Sequence, residues 1–261
     1  MAKGVSIKFK SYHETVPKLL QLIKLEKEIQ RHNKIVLKPS LKNHDAQSTP
    51  VEFVEEVLKY CISHKNSDAQ VFIAEGSDGE ETIDMFDSSG YKALSEKYNI
   101  GLLDLNESEI EEIQDGEFIK FESIAYPKIL LDSFIISLPK LAEDPELDIQ
   151  GSLSTMLGAF PSKYYQGIFA RKKSKIRKWP IKFSIHDILR CKMPNFAIID
   201  ASEQGSIIAG MPLDMDKQAA KLLGKEWKDI SHLRLIDESF AKDFAKKDAA
   251  EKEKESQAQI T

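Results

Sequence analysis

The sequence predicts an α/β fold, a mostly parallel sheet with helices on both faces, in a single large domain. Three observations carry that expectation. Five short apolar runs lack the alternation of half-exposed strands, as expected of strands covered on both faces. Amphipathic stretches with helical periodicity lie between several of them. Strand, helix, strand alternation then gives parallel neighbours joined by right-handed crossovers. The chain has 261 residues, 41% hydrophobic and 30% charged, enough to bury about three quarters of its unfolded surface. That excludes a disordered chain, a collagen-like fibre and a disulfide-stapled miniprotein.

The elements follow in order. Residues 16–30 carry Val16, Leu19, Leu20 and Ile23 at helical spacing, which predicts an amphipathic helix. Lys34-Ile35-Val36-Leu37 is a buried strand stopped by the turn Lys38-Pro39-Ser40. The next helix shows Thr49 as N-cap, Pro50 at the first helical position and Glu52 three residues after the cap. Val54, Val57, Leu58, Cys61 and Ile62 form its apolar stripe. Residues 70–74 give a second strand, 91–98 a helix, 101–105 a third strand, 132–138 a fourth and 196–199 a fifth. Asp214 to Leu223 is a last helix, closed by Gly224. One domain is expected over 1–240, with a basic insertion at about 163–182. Residues 241–261 read as a charged tail, a frayed helix or disordered.

Two cysteines, Cys61 and Cys191, cannot supply the roughly four soft ligands of an iron–sulfur cluster or a Cys-rich metal site. Cys61 falls on a helix stripe and is expected to be buried and inert, whereas Arg190 and Lys192 beside Cys191 could lower its thiol pKa. No apolar run approaches the ~18 residues of a membrane span, and the N-terminus lacks a secretory pattern, so a cytoplasmic protein is expected. His32, His44, His64, His186 and His232 are scattered without HxxxH or HExxH spacing, and Walker A, GxGxxG and GxSxG patterns do not occur.

Charge is unevenly distributed. Residues 104–117 hold seven acids and no Lys or Arg, and residues 163–182 hold eight bases and no acid. The net charge of −5 therefore leaves −13 outside the basic stretch, since −5 − 8 = −13. Tyr164, Tyr165, Phe169 and Trp179 interleave with those bases, the mixture that single-stranded nucleic-acid sites use for stacking and phosphate contact. Arg171, Lys172, Lys173, Lys175, Arg177, Lys178 and Trp179 are the candidate RNA- or ribosome-contacting residues. The bland alternative is a cationic loop lying over the surface.

In an open parallel sheet, ligands bind beyond the carboxyl ends of the strands. That edge carries Lys38 and Ser40, then Glu75, Ser77 and Asp78, then Asp104 and Asn106, then Lys140, and finally Asp200, Glu203 and Gly205. Lys38, Ser40, Glu75, Ser77, Asp78, Lys140 and Asp200 are the candidate ligand-binding residues. Lys38 and Lys140 would be the cations for a small anionic ligand or cofactor. Glu75, Asp78 and Asp200 would serve as acid/base groups or as ligands of a hard cation such as Mg²⁺. A scaffold subunit without ligand is the third reading.

Several segments resemble, in order, a prokaryotic family catalogued as domain of unknown function 362. They are Val36-Leu37-Lys38-Pro39-Ser40-Leu41, the helix start at Thr49-Pro50, Glu75-Gly76, and the run from Leu131 to Lys140. Leu157-Gly158-Ala159-Phe160-Pro161, Ile185-His186-Asp187-Ile188, the run from Pro194 to Ala201, and Asp214 to Gly224 complete the set. The likeness covers roughly residues 34–236 and implies a fold more than a function. Many members of the family carry a ferredoxin-type iron–sulfur module, which the two cysteines here cannot hold. The family's Lys-Pro-Asn is Lys38-Pro39-Ser40, and its Pro-Lys-Leu-Lys-Thr-His is Pro139-Lys140-Leu141-Ala142-Glu143-Asp144. Its Lys-Asn is Thr155-Met156, and its Gly-Pro is replaced within Ala209-Gly210-Met211-Pro212. The resemblance therefore implies a divergent branch with another ligand, or a binding protein that has shed chemistry.

Overall fold

The computed structural model describes residues 4–42, 47–167 and 172–241. Arg171, Phe169, His44 and nearly all of the charged tail lie outside them.

The chain begins with β1 (Val5–Lys8), α1 (Tyr12–Leu22), α2 (Glu26–Ile29), β2 (Lys34–Pro39), α3 (Val51–His64) and β3 (Gln70–Glu75). It continues with α4 (Thr82–Ser88), α5 (Tyr91–Tyr98), β4 (Gly101–Asp104), β5 (Ile110–Ile113), β6 (Ile124–Pro127), α6 (Lys128–Leu131) and β7 (Phe134–Leu138). The last part holds β8 (Ala142–Asp144), β9 (Asp148–Gln150), α7 (Ser162–Tyr165), α8 (Ile181–Cys191), β10 (Phe196–Ala201), β11 (Ser206–Gly210) and α9 (Pro212–Leu222). A further helix covers 231–241.

Seven strands form the main sheet in the order β1-β11-β10-β7-β2-β3-β4. The pairs β10–β7, β7–β2, β2–β3 and β3–β4 are parallel, and these five strands are the five apolar runs of the sequence. β11 pairs antiparallel with β10, and β1 antiparallel with β11. Alternate residues of β2 explain the burial on both faces: Ile35 and Leu37 pack with α1 and α3, while Val36 turns to the side of α8. A third cluster places Met215 and Ala219 of α9 on Ala197, Ile199 and Ile208.

Two local expectations are corrected. The helix over 16–30 is two helices, because Lys24 takes a positive φ of 56°, and α1 starts earlier, with Ser11 accepting from the Glu14 N–H. Pro50, not Thr49, is the N-cap of α3. Thr49 instead accepts from the Ser40 N–H at 2.9 Å and donates to the Leu138 carbonyl at 2.6 Å, tying the exits of β2 and β7 together. Strands β1 and β11 had no expectation: four and five residues long, each gains its ladder only from a distant partner.

Chain order defines where a cleft can open. From β2 the chain moves outward through β3 to β4, and from β7 it moves the other way to β10 and β11. The reversal falls between β2 and β7, at their carboxyl ends, where loops leaving on opposite sides leave a crevice.

Candidate functional site

A cleft of about 380 Å³ lies at that edge, lined by Ser40 and Lys42 after β2, Glu75 and Gly76 at the end of β3, and Thr155 and Gly158 of a crossing segment. Its outer wall includes Asp78, Glu146, Lys172 and Arg177. The volume is within the range of about 300–1,000 Å³ typical of small-molecule sites.

The floor is an ion pair out of water. Lys38 occupies a core position of β2 and is fully buried; its Nζ donates to Glu75 Oε2 at 2.7 Å and to the Thr155 carbonyl at 2.8 Å. Burial pushes the Lys38 amine below its usual value, opposed by the Glu75 carboxylate. Glu75 Oε1 also accepts from the Gly76 N–H at 2.9 Å. Gly158 lies so close that a Cβ there would overlap Glu75 Oε1 and stand 2.7 Å from Lys38 Nζ, so the crossing segment can cover the pair only with glycine at this position.

That segment, a 3-10 turn over Ser154–Ala159, is held from below. Asp216 of α9, fully buried, accepts from the Ser152 and Leu153 N–H groups at 2.6 and 2.9 Å. Burial raises the Asp216 carboxyl to about 7, with the two N–H donors opposing. Ser137 of β7 donates to the Ser152 carbonyl at 3.0 Å.

The basic segment reaches the floor of the cleft, so Lys173 and Arg177 bring together the strand-edge and basic candidates that the sequence placed apart. Lys173 is fully buried, its N–H reaching Asp78 Oδ1 at 2.6 Å and its Nζ reaching the carbonyls of Gly76 at 2.8 Å and Gly158 at 3.4 Å. Arg177 bridges Asp78 at 2.5 Å and Glu146 at 3.0 Å. Among the stacking candidates, Tyr165 is buried, its hydroxyl accepting from the Ala125 N–H at 2.9 Å. Trp179 and Tyr164 are exposed.

The remaining candidates separate. Ser77 is buried outside the cleft, in a loop that Asn106 pins by donating to the Ser77 carbonyl and Thr82 Oγ1, both at 3.0 Å. Lys140 pairs with Glu203 at 2.7 Å, and Asp200 accepts from the Tyr12 hydroxyl at 2.8 Å and the Ser202 N–H at 3.0 Å. These form a second polar group at the ends of β7 and β10, absent from the cleft lining. Lys38 and Lys140 therefore do not share one anion site. Glu75 and Asp78 both line the cleft but Asp200 does not, and among the described residues no three His, Cys, Asp or Glu side chains gather as metal ligands would. Burial raises the Cys191 thiol to about 12, reversing the expected effect of its cationic neighbours, and raises Cys61 to about 12 as well. Lys42, two residues beyond Ser40, was not among the candidates, and Thr155 and Gly158 entered only through the family resemblance, since their place in the cleft depends on contacts distant in sequence.

The order of these pieces along the chain matches a known family. A family model described as Domain of unknown function (DUF362) covers residues 35–217. The chain belongs to the DUF362 family. The match takes in β2 to the first half of α9, so the resemblance stops short of its expected end at 236. The segments carrying the DUF362 likeness include Lys38, Glu75 and Gly158, the three that meet in the floor of the cleft. No curated protein matches the chain. Among the described residues no helix is long and apolar enough to cross a membrane.

Proposed function

We propose that this protein binds a small anionic ligand in the cleft at the carboxyl ends of β2 and β3. One observation carries the reading: the buried floor holds two amines, and only Lys38 has a carboxylate in direct contact, Glu75 at 2.7 Å, whereas Lys173 Nζ meets the carbonyls of Gly76 and Gly158. A buried charge is costly unless it is paired, and an anion in the cleft supplies the missing counter-charge. Lys42 and Lys172 on the walls add to the attraction. The test is native mass spectrometry of protein isolated gently at low salt from its own cells. A stoichiometric anionic adduct of roughly a few hundred daltons, lost in a Lys42→Ala, Lys172→Ala double variant, is the expected result. A bare mass for both proteins would count against tight binding.

A second reading rests on Trp179 and Tyr164, 56% and 40% exposed, with Lys175 and Lys178 on the same segment. Together they offer stacking surface and charge to single-stranded RNA. This reading no longer uses Lys173, buried against the Gly76 and Gly158 carbonyls, or Arg177, on the cleft wall. Co-purifying nucleic acid that is lost on Trp179→Ala would favour it, whereas an unchanged yield would remove it.

A further inference from the structure

Lys173 differs from every other charged group in the floor. Lys38 has Glu75 at 2.7 Å. The described partners of Lys173 Nζ are the two carbonyls of Gly76 and Gly158, and the side chain is fully buried. Two carbonyl acceptors match the two N–H bonds of a neutral amine. A third proton brings a charge whose counter-ion has to come from elsewhere. Both acceptor residues also line the cleft, so an anion seated there is separated from Nζ by little more than the Gly76 and Gly158 backbone.

We propose that the cleft takes up its anion together with one proton, and that Lys173 carries the proton. This rests on the anion-binding reading above. Above about pH 8, where the ligand-free amine is neutral, it accepts a proton from solvent as the anion arrives, and the ligated protein holds an ammonium against the bound negative charge. The charged groups facing Lys173 are Glu75 at the end of β3, Asp78 in the next loop, Asp104 at the end of β4 and Lys38 on β2, with Lys172 and Arg177 on its own segment. The three carboxylates favour the ammonium and Lys38 opposes it, yet burial prevails and takes the amine down to about 8. Without ligand, the proton is therefore gained or lost near physiological pH, and a nearby anion moves that transition upward.

Sulfate is a suitable probe, because it does not titrate between pH 6.5 and 10 and any pH dependence belongs to the protein. Calorimetric titration should give an affinity that is level below about pH 8 and falls roughly tenfold per pH unit above it, as one coupled proton requires. Near pH 9, sulfate added to lightly buffered wild-type protein should take up close to one proton per bound ion. Lys173→Met should bind more weakly at pH 7 and show no pH dependence. Sulfate binding with no proton uptake by the wild type overturns the proposal and leaves the anion site standing. A pH dependence that persists in folded Lys173→Met assigns the proton to another group and also overturns it. No sulfate binding at any pH overturns both readings. The proton-uptake measurement needs no variant, so it decides the question even if Lys173→Met fails to fold.

Discussion

At the scale of single residues, two buried lysines that both feel the Glu75 carboxylate have opposite energetic roles. Lys38 neutralises Glu75 directly. Replacing it with Met leaves a buried carboxylate unpaired, and a loss of about 3–5 kcal/mol is expected in chemical denaturation. Lys173 lacks such a partner, so Lys173→Met removes a desolvated charge and should leave stability at pH 7 unchanged or higher. Equal losses in the two variants would refute this distinction. The pH dependence follows from the direction of the shift. With its folded value lowered from 10.5 to about 8, Lys173 binds fewer protons in the folded state than in the unfolded state between those values. Wild-type stability should therefore gain on Lys173→Met as pH rises from about 8 to about 10.5. Gly158→Ala acts on the same pair by geometry: its Cβ overlaps Glu75 Oε1, and a loss of about 1–3 kcal/mol is expected as the pair is displaced.

At the scale of elements, the cleft depends on one carboxylate holding a turn. Asp216 accepts two N–H groups at the entry to the Ser154–Ala159 turn. Asn has one acceptor oxygen, so Asp216→Asn leaves one buried N–H facing an amide N–H, at a cost of about 1–3 kcal/mol. Hydrogen exchange should rise over residues 151–158, and an unchanged rate there would rule out the holding role. The carboxyl also has a pH signature. Raised from 3.8 to about 7, it binds more protons folded than unfolded in that interval. Its contribution is thus fully present below about pH 4 and is lost as pH rises through 7. Asp216→Asn should flatten that slope. Asp187 plays a similar part for α8, accepting from the N–H groups of Ile119, Lys120 and Phe121 at 2.8, 2.8 and 3.1 Å.

At the scale of the molecule, folding divides the basic stretch into inward and outward halves, and this changes what salt should do. If six bases met phosphates, RNA affinity would fall with a log–log salt slope of about −4. With Lys173, Arg177 and Lys172 committed to the cleft, four other described bases, Lys163, Lys175, Lys178 and Lys182, give a slope of about −3. Filter binding of a single-stranded oligonucleotide across salt concentrations separates the two, and a slope near −4 would mean that the segment leaves the cleft to bind.

The five parallel strands, the stripe of α3 and the glycine after α9 were legible in the sequence, since each follows from local apolar patterning or from a positive φ at Gly224. The same patterning placed Lys38 and Glu75 at one edge of the sheet, because strand ends follow from where apolar runs stop. Tertiary structure alone decided that Lys38 and Glu75 pair while Lys140 pairs with Glu203. It also decided that Lys173, alone among the described bases of that segment, is fully buried, against the Gly76 and Gly158 carbonyls. Local sequence records a residue's charge, but which opposite charge it meets, and whether water remains between them, depends on contacts far apart in the chain, such as Lys38 with Glu75 and with the Thr155 carbonyl.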